Sequence, residues 1–97
     1  MRLVHPGRDA RPGRPVTPRR GDVLRLHGTE YARLDPAPAI TVTVDAVGGA
    51  VPRADGRWVR LRVRERVGGL DRTGFVEVRA DAVAVAARRA ATGVARP

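Results

Sequence analysis

Ninety-seven residues suffice for one small domain, and 19 basic against 10 acidic residues leave a formal charge of +9. Every base is arginine, and lysine, serine, asparagine, glutamine and cysteine are absent; this removes disulfides, thiolate metal sites, Schiff-base lysines and serine or cysteine nucleophiles together. No apolar run approaches the ~20 residues of a membrane span, and no signal-type apolar segment follows Met1-Arg2-Leu3-Val4, so the expectation is a cytoplasmic protein that stays off membranes.

Residues 1–20 hold four prolines and six arginines, among them Arg11, Arg14, Arg19 and Arg20, with no apolar periodicity. They read as a disordered basic tail. Within it Arg11-Pro12-Gly13-Arg14-Pro15 resembles the AT-hook, a minor-groove binder with the core Pro-Arg-Gly-Arg-Pro. Proline stands here where the arginine before glycine belongs, so the reading adopted is a flexible, non-specific basic arm.

Alternation starts at Gly21-Asp22, where Val23-Leu24-Arg25-Leu26-His27 sets Leu24 and Leu26 on one face and Arg25 on the other, a first strand. Asp35-Pro36-Ala37-Pro38 breaks regular structure. A second strand follows over Ile40–Val47, with Ile40, Val42, Val44 and Ala46 inward. Gly48-Gly49 and Ala54-Asp55-Gly56 are expected to bracket a loop, after which Arg57–Val67 is a third strand with Val59, Leu61, Val63 and Val67 inward.

Gly68-Gly69 closes that strand. A fourth strand is expected over Gly74–Arg79, then one helical turn at Arg79-Ala80-Asp81-Ala82, a short Val83-Ala84-Val85 strand, and an Ala/Arg tail or short helix over 87–97. Five short strands at this spacing predict an all-β fold over 21–86, a small five-stranded antiparallel barrel.

The stretch Arg20-Gly21-Asp22-Val23-Leu24-Arg25-Leu26-His27-Gly28 resembles the opening strand of SH3-like barrels, including KOW modules, where a Gly-Asp turn leads into an alternating strand. No Gly-x-Val follows Gly28, a departure from the KOW pattern. The resemblance implies an SH3-like barrel and no particular chemistry. The remainder is similar to small proteins of GC-rich bacteria, a codon bias that accounts for arginine replacing lysine but not for the net charge.

Catalytic and metal sites find little support. His5 and His27 are far apart, without the spacing of a helical metal pair. His27 and Glu30 share a loop segment, His27–Asp35, that reads as surface rather than as an acid–base or ligand pair. No cofactor is expected, and the protein is read as non-enzymatic.

The outward residues of the third strand carry the functional expectation. Same-face residues recur every ~6.6 Å, so Arg60, Arg62, Arg64 and Arg66 form a ladder roughly 20 Å long that Trp58 shares. Thr41, Thr43, Asp45, Phe75, Glu77 and Arg79 are its expected neighbours, with Arg64 opposite Glu77 and Arg60 near Asp45. Counting Arg25 and Arg79, six bases then face two acids. Such a surplus calls for a polyanion, and the leading expectation is weak binding of single-stranded or otherwise non-specific nucleic acid, driven by counterion release and assisted by stacking on Trp58 and on Phe75. The other reading is a protein-interaction adaptor that offers the Tyr31–Pro38 loop or a strand edge to an acidic or Pro-rich partner, or a module that forms a homo-oligomer.

Overall fold

The computed structural model describes residues 17–94. Five strands run in chain order: β1 (Val23–His27), β2 (Tyr31–Ala32), β3 (Ala39–Arg53), β4 (Gly56–Val67) and β5 (Leu70–Arg79), followed by helix α1 (Val83–Val94). All pairings are antiparallel in the order β1-β3-β4-β5-β2, and the sheet bends into a nearly closed barrel. The tail over residues 1–16, with Arg11, Arg14 and His5, lies outside the described residues.

Alternating apolar residues bend this sheet around one core. Leu24 and Leu26 of β1, Ile40, Val42 and Val44 of β3, Leu61 and Val63 of β4, and Val76 and Val78 of β5 bury their side chains together with Tyr31, Val83 and Ala86. The Gly-Asp segment before β1 forms the expected turn, Asp22 N–H donating to the Arg19 carbonyl at 3.0 Å, and it is tied to β3 where Gly21 N–H donates to the Val44 carbonyl at 2.7 Å and Val44 N–H to the Asp22 carbonyl at 2.8 Å.

The strand count agrees with expectation, but the fifth strand is elsewhere. Val83-Ala84-Val85 opens α1 instead, because the alanine-rich segment favours helix and sets Val83, Ala86, Ala87 and Ala90 on one stripe at i, i+3, i+4 and i+7. Small side chains let this stripe lie against β1. The place of the fifth strand is taken by the two-residue β2, whose Tyr31 and Ala32 pair with Val78 and Glu77. Buried Tyr31 fastens the following loop, its hydroxyl accepting the Ala37 N–H at 2.7 Å and donating to the Ala37 carbonyl.

Gly48-Gly49 is not a loop. β3 continues through it with register shifts between Val44 and Ala46 and between Val47 and Ala50, and turns only at Ala54-Asp55. A Cβ on Gly48 would stand 3.0 Å from the Arg60 carbonyl oxygen, so glycine lets the two strands close at the bulge. The bulge also breaks the inward series, leaving Ala46 exposed.

β5 begins at Leu70 rather than Gly74, because Gly68 and Gly69, at φ of 59° and 83°, make a two-residue turn that pairs Val67 with Leu70. Val67 is exposed beside that turn, past the end of the core. The inward position before it belongs to Glu65, whose carboxylate meets Arg33 Nη1 at 2.7 Å with each side chain only 14% exposed. The hydrogen bond it donates to Glu65 holds the Arg33 guanidinium above its ordinary pKa against the opposing effect of burial.

Glu30 joins three elements. It accepts the His27 N–H at 2.8 Å, and Arg89 of α1 reaches both of its oxygens, at 2.9 and 3.2 Å, while donating to the Arg25 carbonyl at 2.7 Å. Burial alone would raise the Glu30 carboxyl, but the bonds from Arg89 and His27 outweigh it and hold its pKa below the ordinary 4.5.

Arg33→Ala leaves Glu65 half-buried without its cation and is expected to cost about 1–3 kcal/mol, whereas Arg66→Ala, whose pair with Asp71 is exposed, is expected to cost at most about 0.5 kcal/mol; urea unfolding checks both. Because Glu30 has a depressed pKa when folded, its contribution is fully present above the unfolded carboxylate value and is lost as pH falls through the folded one. Thermal unfolding across acid pH should therefore steepen in the wild-type chain and flatten in Glu30→Gln, with about 1–2 kcal/mol lost at neutral pH.

Candidate nucleic-acid interface

β4 lies at the centre of the sheet, so side chains on its outer face are flanked by those of β3 and β5. Arg60, Arg62, Arg64 and Arg66 all reach solvent on that face, as the alternation requires. Their neighbours differ from expectation. The Gly68-Gly69 turn sets Arg60 opposite Glu77 and Arg64 opposite Thr73; Arg60 Nη2 stands 3.5 Å from Glu77, which Arg53 also contacts, and Arg64 Nε donates to Asp45 at 2.8 Å. The two expected pairings are thus exchanged. The hydrogen bond to Asp45, and then its charge, hold the Arg64 guanidinium above its ordinary pKa.

Three further acids complete the face. Asp71 meets Arg66 at 3.2 Å, and Arg79 is held by Asp55 at 2.9 Å and by Asp81 at 3.4 Å. Arg25 donates to the Thr41 hydroxyl at 2.8 Å. The surplus of six bases over two acids is therefore corrected to seven bases, Arg53 included, beside five acids, because the two hairpin turns and the helical turn after β5 bring in aspartates that strand alternation cannot place. Of the seven, Arg62 alone has neither an ion pair nor a hydrogen bond to its side chain among the described residues; it lies between Ala46 and Phe75.

Trp58 does lie on the outer side, opposite Arg79 and Val51, yet it is only 5% exposed. The Arg53 guanidinium covers its ring at 4.4 Å and that of Arg79 approaches at 5.7 Å, while its indole N–H donates to Asp55 at 3.0 Å. That bond is the leading reason the Asp55 carboxyl is held below its ordinary pKa. The stacking position on this tryptophan is already taken by arginine. Phe75, 67% exposed and opposite Arg62, is the open aromatic face.

Arg19 and Arg20 stand exposed ahead of β1, and the Arg19 N–H donates to the Asp22 carboxylate at 2.8 Å. His27 and Glu30 do meet, but through the backbone of one and a carboxylate already engaged by Arg89. Among the described residues no group of three or more His, Cys, Asp or Glu side chains is placed to hold a metal ion, and no helix is long and apolar enough to cross a membrane.

An open groove of about 590 Å³ runs between the segment after β2 and strand β5. Leu34, Val63, Val76 and Phe75 supply its apolar surface, and the Arg33–Glu65 pair its polar end, with Arg72 at 3.7 Å from Glu65. Sequence reasoning missed this feature. The available signal was Glu65, an acid at the inward parity of Leu61 and Val63.

Comparison with protein-family models, curated proteins and solved structures finds no match for this chain.

A shielded Trp58 is expected to emit as a buried indole, resist acrylamide quenching, and become accessible in Arg53→Ala/Arg79→Ala; steady-state fluorescence checks this.

Proposed function

We propose that the outer face of β4 binds nucleic acid, single-stranded or without sequence preference, and that the protein acts in the cytoplasm without catalysing a reaction. The observation that supports this best is Arg62: an exposed arginine without an ion pair among the described residues, set beside exposed Phe75 and between Arg60 and Arg64. Over residues 17–94, fourteen arginines stand against nine acids, so the domain keeps a positive field without the tail.

In this reading Arg62 meets a phosphate directly, Phe75 offers a stacking face to an unpaired base, and Arg60, Arg64 and Arg66 exchange carboxylate for phosphate as counterions leave. Arg25, Arg79 and the arm carrying Arg11, Arg14, Arg19 and Arg20 add long-range attraction. Trp58 is a support beneath Arg53 and Arg79 rather than a stacking platform. Asparagine and glutamine, the usual readers of adenine, are absent, in keeping with little sequence preference. The barrel is compatible with an SH3-like kinship, and the Gly21-Asp22 turn into β1 supports it.

The groove beside β5 favours a second reading, a protein-interaction or self-associating module, because Leu34 and Phe75 leave apolar surface open there. Size-exclusion chromatography with and without nuclease separates the two: co-purifying material absorbing at 260 nm supports the first, and a defined oligomer free of it the second.

If Arg60, Arg62, Arg64 and Arg66 each meet one phosphate of a single strand, log K should fall against log salt with a slope of about −2.8. Arg62→Ala is expected to weaken binding more than Arg64→Ala, since Arg64 must first leave Asp45, and Phe75→Ala should cost about 1–3 kcal/mol. Fluorescence anisotropy with a labelled oligonucleotide measures all of these; a response flat in salt would sink the proposal.

A further inference from the structure

The Gly68-Gly69 turn determines which way each backbone group of β5 points. In a two-residue hairpin the flanking pair, here Val67 and Leu70, exchanges N–H···O bonds, and hydrogen-bonded pairs then recur at every second residue. Leu70, Arg72, Gly74 and Val76 therefore turn their N–H and C=O groups toward β4. Asp71, Thr73 and Phe75 turn theirs away from it. On that side β2 pairs only with Glu77 and Val78, so these three residues form an edge without a neighbouring strand among the described residues.

We propose that this edge pairs antiparallel with the same edge of a second copy of the chain, about a two-fold axis at Thr73. The inference rests on backbone geometry and does not depend on nucleic-acid binding. The register is determined by the edge itself, because only when Thr73 faces the partner's Thr73 do all three outward residues meet one another. Asp71 then faces the partner's Phe75, and about six backbone bonds cross the interface.

The side chains fit this register. Leu70, 72% exposed, faces the partner's Val76 at the groove that Ala32, Leu34 and Val63 also line. Each copy thus seats an exposed leucine in the other's groove, as an isologous contact requires. Arg72 faces the partner's Gly74, where even a Cβ would meet nothing within 4 Å. Asp71 comes beside the partner's Phe75, whose other neighbour is Arg62, without an ion pair among the described residues. No like charges stand directly opposite one another.

Sedimentation of the full, nuclease-treated chain from micromolar to millimolar concentration is expected to show a monomer–dimer equilibrium. Thr73→Pro removes an N–H that points away from β4, so it spares the β4 ladder while blocking the edge. It should raise the dimer dissociation constant by an order of magnitude or more with an unchanged circular dichroism spectrum, and Leu70→Glu should do the same through the groove. Should Thr73→Pro fail to fold, hydrogen exchange of the wild-type chain decides. The amides of Asp71, Thr73 and Phe75 should gain protection with concentration, and those of Arg72, Gly74 and Val76 should not. A single-chain mass throughout, a dimer that folded Thr73→Pro leaves intact, or exchange at those three amides independent of concentration overturns the proposal; a strict monomer would leave the edge to an unrelated extended peptide.

Discussion

The period-two pleat of β4 is the constraint on which the rest of the molecule depends. β4 is the central strand, paired with β3 on one side and β5 on the other. Its inward residues Leu61 and Val63 stand in the middle of the core. Every side chain placed inward forces its neighbours outward, so the burial that stabilises the barrel also displays Arg60, Arg62, Arg64 and Arg66 on its surface. In a domain this small the apolar area is limited, and α1 extends it by laying Val83 and Ala86 against the open side of the barrel.

The charges on that surface are balanced by acids at the turns as well as by Asp45 and Glu77 on the strands. Asp55 lies in the β3–β4 turn and Asp71 next to the β4–β5 turn, and each meets an arginine on a strand. Exposed pairs of this kind contribute little stability. Their effect here is to quiet the repulsion that a row of like charges would otherwise suffer. Arg62 escapes because its cross-strand neighbours are Ala46 and Phe75, neither of which carries charge.

Where the barrel ends, polar groups replace the core. Glu65 continues the inward series of β4 but meets Arg33 rather than a hydrocarbon, and the Tyr31 hydroxyl ties down the loop that brings Arg33 there. A carboxylate this shielded is tolerable only with a cation and hydrogen bonds beside it. The short β2 follows from the same arrangement: after Ala32 the chain leaves β5 to reach Glu65, and the rest of the β5 edge and the groove are left open.

By itself the sequence determined the strands whose alternation is local: β1, the first half of β3, the core of β4 and the end of β5, together with the arginine row that alternation pushes outward. It also marked Gly68-Gly69 as the end of β4, though not that the chain re-enters the sheet at once at Leu70. Only the tertiary structure decided the register, because one bulge at Gly48 and one two-residue turn choose which acid meets which arginine. The two-residue β2 was likewise decided by packing against the end of β5, since two residues carry no period, whereas the helix at Val83 follows from alanine propensity and a stripe that packs against β1. Trp58 was decided last: its parity is local, but its burial beneath Arg53 and Arg79 depends on side chains from two other strands.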